Sequence, residues 1–81
     1  MRVSVQFHSY FRELAGCSHC VEELEEGSTV LGLTERISRR FPALAGLEKS
    51  MLIAVGLEYQ SRDHVLRAGD EVSFFPPVQG G

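Results

Sequence analysis

From Arg2 to Phe7 apolar and polar side chains alternate, with Val3, Val5 and Phe7 on one side and Arg2, Ser4 and Gln6 on the other. A period of two predicts a strand with one buried face. Ser9 is placed to cap a short helical turn over residues 10–15, with Gly16 in the left-handed position that closes helices. Val21 and Leu24, set among acids, suggest a weak second strand that ends at Gly27. Ser28 or Thr29 then caps the principal helix. In it Val30, Leu33, Ile37 and Phe41 recur at spacings of three, four and four, which makes one apolar stripe. Glu35, Arg36, Arg39 and Arg40 fall largely off that stripe and read as its solvated face, and Pro42 stops the helix. Residues 51–55 are apolar throughout, as expected of a strand covered on both faces. Tyr59 belongs to a short strand, and Leu66–Asp70 to a turn in which Gly69 supplies a positive φ. Glu71–Phe75 is the last strand, with Val72 and Phe74 inward and Ser73 and Phe75 outward.

One long helix must therefore cover the single apolar face of a mixed sheet. The strongly apolar first and last strands are expected to pair in its middle. That is an α+β, two-layer, ubiquitin-like β-grasp arrangement. A chain of 81 residues holds one domain. Residues 1–75 form the β-grasp domain, and residues 76–81 a flexible, reactive C-terminal tail.

Composition narrows the function. Hydrophobic residues at 43% exclude a disordered chain. A formal charge of −3 and the lack of a basic stripe exclude nucleic acid as a partner. The longest uncharged apolar run, Met51–Leu57, is far short of the ~20 residues a spanning helix needs, so no membrane is expected. The N-terminus enters strand-like sequence without a basic-then-apolar leader, which points to the cytoplasm.

Two cysteines form Cys17-Ser18-His19-Cys20. A structural zinc site needs four ligands, and a redox centre wants this motif at a strand-to-helix junction of a larger fold. The pair reads as incidental loop cysteines, dispensable for any chemistry of the chain end. No metal site and no bound cofactor are expected. His8, His19 and His64 are scattered, and no Ser–His–Asp or Cys–His constellation is apparent.

The last strand is followed by Pro76-Pro77-Val78-Gln79-Gly80-Gly81. Two prolines cannot donate ladder hydrogen bonds, so the sheet ends there, and they hold the departing chain extended. Terminal glycines can be mere disorder. A stiff segment that projects them from the body argues instead for a thin end, closed by a carboxylate, that enters a slot in another protein.

The run Phe75-Pro76-Pro77-Val78-Gln79-Gly80-Gly81, preceded by Leu66-x-x-Gly69-Asp70-Glu71-Val72, closely resembles the small, sulfur-carrying subunits of molybdopterin synthase. Arg12-Glu13-Leu14 with Gly16, and Ala54-Val55, match the same ubiquitin-like sulfur carrier family. Gly56 departs from it, where the family often has Asn. The resemblance spans essentially the whole chain.

It implies that the Gly81 carboxylate is adenylated by an ATP-dependent activating enzyme similar to the ubiquitin activators. A persulfide donor then converts it to a thiocarboxylate, a C-terminal thioglycine. That group passes sulfur to cyclic pyranopterin monophosphate, two carriers being consumed per dithiolene. Gly80 and Gln79 complete the working tail. The active site is expected on a large subunit, in a heterotetramer of two small and two large chains, so this chain is a sulfur-donating rather than a catalytic subunit.

Docking needs an apolar patch beside the tail. Phe75 is the first candidate, with Tyr59 and His8 on the same outer face and Pro76, Pro77 and Val78 extending it. Rival readings are a thiamine-type sulfur carrier, a ubiquitin-like modifier conjugated through Gly81, and a non-catalytic β-grasp interaction module.

Overall fold

A computed structural model describes residues 1–77. Strands β1 (Arg2–Phe7), β2 (His19–Glu23), β3 (Leu52–Val55), β4 (Glu58–Tyr59) and β5 (Glu71–Phe75) form one sheet in the order β2-β1-β5-β3-β4. The central β1–β5 pair is parallel, and every other pairing is antiparallel. Helix α1 (Phe11–Ala15) follows β1, and α2 (Val30–Arg40) crosses one face of the sheet. This is the expected β-grasp.

The core lies between α2 and that face. Val30, Leu33 and Ile37 of α2 are fully buried together with Val3, Val5, Val72 and Phe74 from the central strands. Phe7 meets Phe41 edge-on at 5.3 Å between centroids and Phe74 at 6.0 Å. Such edge contacts add to what area burial alone gives.

The start of α2 explains why the 60s loop is held. Thr29 Oγ1 accepts the Gly32 N–H at 3.2 Å. The Val30 and Leu31 N–H groups donate to the carbonyls of His64 and Arg62, both at 2.9 Å. Donors that a helix N-terminus leaves without intrahelical partners are thus met from the loop.

Five local expectations need correction. Ser9 does not cap α1; it adopts φ 57°, and Tyr10 occupies the cap position with no side-chain bond. Gly16 does close α1, at φ 77°.

In β2 the inward residues are Cys20 and Glu22, followed by Leu24, whereas Val21 is 47% exposed. Register decides this: Cys20 pairs with Val5 and Glu22 with Val3, while Val21 faces Ser4. Cross-strand partners share a face, so β2 inherits the parity of β1. The Cys17–Cys20 segment is accordingly no free loop, since Cys20 sits in the core.

Arg36 and Arg40 are not simply a solvated face. The Arg36 Nε–H donates to Glu22 Oε1 at 3.0 Å, and Arg40 Nη1 donates to Glu22 Oε2 and, at 3.1 Å, to the Val21 carbonyl. A buried carboxylate thereby gains two charge-assisted partners that tie α2 to strand β2.

Finally, β3 is covered unevenly: Ile53 is buried on the inner face, while on the outer face Ala54 is buried but Leu52 is 37% exposed. The helix reaches just the inner side.

Three substitutions test this packing. Phe74→Ala should destabilise by about 3–5 kcal/mol through the cavity it leaves, read as a lower midpoint in denaturant. Glu22→Gln should also lower the midpoint, because it removes the charge that both arginines share. Glu23→Gln should leave the midpoint unchanged, since the Glu23–Arg2 pair is largely exposed.

Candidate functional site

Because β1 and β5 run parallel with Phe7 beside Phe74, their C-terminal ends emerge side by side. The next residue of each chain segment turns to the opposite face. His8 and Phe75 therefore meet outside the sheet, away from α2. Their rings stack with centroids 4.2 Å apart and planes inclined by 13°. The His8 backbone N–H donates to the Phe74 carbonyl at 3.1 Å, which holds residue 8 beside the end of β5.

On the other flank Tyr59 pairs with Ala54, and Ala54 with Ser73, which lies two residues from Phe75. Parity puts Tyr59 and Phe75 on one face, and their rings meet edge-on at 6.1 Å. Tyr59 is 67% exposed, whereas Phe75 is half-buried beneath its neighbours. The three outer-face residues expected from the sequence are thus brought together.

Ser73 shares their face but is buried. As a small side chain on the central strand it lies below the larger groups around it. Leu52, the register partner of Phe75, belongs to the same outer face and escaped the sequence reading. An uninterrupted apolar run hides which of its members faces out, and only pairing with β5 reveals it.

Pro76 and Pro77 follow directly, half-buried and outside any strand. They carry no N–H, so the ladder stops at Phe75 and the chain leaves at the edge of the aromatic cluster. Val78, Gln79, Gly80 and Gly81, the remaining residues assigned to the tail, lie outside the described residues.

The cluster is apolar with two polar accents. Tyr59 carries its hydroxyl. His8 Nε2 is buried and has no hydrogen-bond partner among the described residues. A face of this kind can bind by ring burial and by directed hydrogen bonds, but it offers no activated nucleophile. Among the described residues there is no group of three or more His, Cys, Asp or Glu placed to hold a metal. Burial pushes the Cys20 thiol up to about 11, with the Arg40 guanidinium opposing the shift. It is therefore a protonated core residue rather than a thiolate nucleophile at neutral pH.

Comparison with known proteins gives a consistent result. The ThiS family profile matches residues 5–81. The chain is 38% identical to the molybdopterin synthase sulfur carrier subunit of Escherichia coli (strain K12), over 98% of this chain and 99% of that one. Among solved structures it is similar to a Pyrococcus furiosus chain described as molybdopterin converting factor subunit 1. Identity there is 35% and the TM-score 0.88, with 96% of this chain and 99% of the other covered. A complex of subunits 1 and 2 of the Helicobacter pylori molybdopterin-converting factor shares the fold at 22% identity and TM-score 0.70, covering 100% of both chains. No helix among the described residues is long and apolar enough to cross a membrane.

Two outcomes follow for the isolated chain. Phe75→Ala should cost only about 1–2 kcal/mol of stability, well under the Phe74→Ala loss, because its ring lies on the outer face and is already partly exposed. In alkylation at pH 8, Cys20 should stay unmodified until the chain is unfolded. The reagent needs thiolate, and a thiol titrating near 11 supplies almost none at that pH. Peptide mapping of the folded and denatured chain reads this directly.

Proposed function

The chain belongs to the ThiS family, and on that premise we propose that it is the sulfur carrier subunit of molybdopterin synthase. The observation that carries this reading is likeness over essentially the full length to a chain of that name; the Phe-Phe-Pro-Pro-Val-x-Gly-Gly run of this sequence agrees with it.

In the proposed cycle the Gly81 carboxylate is the working group. Its resonance-stabilised oxygen is a poor leaving group, so an adenylating enzyme first uses ATP to form an acyl-adenylate and release pyrophosphate. The terminal sulfur of a persulfide donor attacks the carbonyl and expels AMP. A thiol then cleaves the persulfide's own sulfur–sulfur bond, pairing with the donor's inner sulfur as a disulfide and releasing the thiocarboxylate. Its anionic sulfur attacks cyclic pyranopterin monophosphate, and two charged carriers supply the two sulfurs of one dithiolene. Acid–base groups and the substrate phosphate site belong to the large subunit, in an assembly of two small and two large chains.

This chain's own residues have two tasks. Gly80 and Gly81 present the carbonyl without side chains, so that it can enter narrow sites on two successive enzymes. The outer face of His8, Phe75, Tyr59, Pro76 and Pro77 sits at the root of the tail. Docking there would fix the distance from the large subunit's surface to the reacting carbonyl. Val78 continues that surface toward the glycines, and Gln79 links it to them.

The test is the thiocarboxylate. Co-expressed with an adenylating enzyme and a persulfide source, the intact chain should exchange one oxygen for sulfur in its intact mass and then support dithiolene formation. Removal of Gly81, or extension beyond it, should abolish both while thermal unfolding stays unchanged. One residue spans ~3.3–3.6 Å, and misplacement of ~1 Å can cost about a hundredfold in rate. Gly80→Val should impair both steps. Phe75→Ala should leave the exchange intact and weaken large-subunit binding by ~2 kcal/mol or more. Undiminished activity of the truncated chain would sink the carrier reading. Covalent adducts on other proteins would identify a modifier, and sulfur delivered to a thiazole intermediate a thiamine-type carrier.

A further inference from the structure

Strand β2 ends the sheet, and half of its peptide groups face away from β1. The Phe7 N–H donates to the Ser18 carbonyl and the Leu24 N–H to that of Met1. Hydrogen-bonded pairs alternate along an antiparallel ladder, so Cys20 and Glu22 also turn their peptide groups to β1. His19, Val21 and Glu23 turn theirs outward. The same three residues carry their side chains on the outer face, where all are exposed.

Apart from the inward Glu22 and the exposed Glu23, this edge lacks the usual protections. It has no proline or bulge, it is five residues long, and its middle residue is an exposed valine. Its sequence is also self-complementary. If two copies pair antiparallel about Val21, Val21 faces Val21 of the second copy, His19 faces Glu23, and Glu23 faces His19. The apolar residue thus lies on the symmetry axis with a donor–acceptor pair on either side. Ser18 Oγ lies 3.3 Å from His19 Nδ1, which leaves the Nε2 side of the ring toward the second copy's carboxylate.

We propose that the β2 edge is a self-association surface, on which a second copy of this chain pairs antiparallel to join two five-stranded sheets into one of ten. Arg40 does not block it. Its guanidinium reaches the Val21 carbonyl from α2, on the helix side of the sheet, and a carbonyl oxygen has a second lone pair for an in-plane partner. Glu22 partly neutralises Arg36 and Arg40, which reduces repulsion between the two copies beneath the join.

The symmetry axis stands perpendicular to the sheet, so both helices lie on one side and both aromatic clusters on the other. Strand β2 is separated from β5 by β1, and the His8–Phe75–Tyr59 surface stays open in each copy. Self-association is therefore independent of the sulfur-carrier reading. A short interface of this kind gives a weak, concentration-dependent dimer.

Light scattering coupled to size-exclusion chromatography, on the full chain from micromolar to millimolar concentration, tests the proposal. The apparent mass should rise from one 9.0 kDa chain toward twice that value. Val21→Lys sets like charges on the axis, and His19→Glu sets carboxylate against carboxylate. Each should raise the dissociation constant about tenfold or more. Both positions are exposed, so thermal unfolding at low concentration should match the parent. A chain that stays monomeric throughout, or a dimer that both variants leave unchanged, would overturn the proposal.

Discussion

Everything in this domain depends on the parallel pairing of β1 with β5 at the centre of the sheet. It joins the beginning of the chain to its last strand, and it fixes the parity of the remaining strands through successive antiparallel neighbours. On one side Val5, Phe7, Val72 and Phe74 form the floor on which α2 rests. On the other the two strand ends deliver His8 and Phe75 to the same point. Core and candidate site are opposite faces of one ladder, separated by the thickness of a backbone.

That shared ladder accounts for how sharply neighbouring residues differ. Phe74 and Phe75 are chemically identical and adjacent, yet one is sealed beneath the helix and the other is stacked beneath an imidazole at the surface. A one-residue slip would exchange them and lose both features together. The buried Glu22 works to the same end at β2, since its link to Arg36 and Arg40 holds the strand against the helix in a single register.

Much of this could be read from the sequence. The periods of two and of about three and a half gave β1, β5 and α2 nearly residue by residue, and Gly16 and Gly69 marked turns with the φ they were chosen to supply. Alternation turned Phe75 outward, and Tyr59 and His8 were expected beside it on the same face. What remained hidden was pairwise. Val21 and Leu24 are both apolar, but no strand can turn residues three apart to one face, and only the register with β1 shows which is inside. Leu52 was masked by an apolar run, and Glu22 looked like any other surface acid in an acidic stretch. Ser9 resembled a cap until the direct turn from β1 into α1 required a left-handed residue. Residues 78–81, where the proposed chemistry lies, read by themselves as a thin, projecting segment, and only the resemblance to a family attached sulfur chemistry to them.

The two prolines end the ladder at its most strongly held strand, and this has a mechanical consequence. A pull on the chain beyond Pro77 runs along β5, whose hydrogen bonds lie across that direction on both sides. The Ser4 N–H to Asp70 and His8 N–H to Phe74 bonds brace it against β1, and the Gly56 N–H to Glu71 bond helps brace it against β3. Load applied along a strand in this geometry shears many bonds at once instead of peeling them one by one. The domain thus forms a grip for its own last residues, able to resist a tug that would unzip a chain ending in an edge strand.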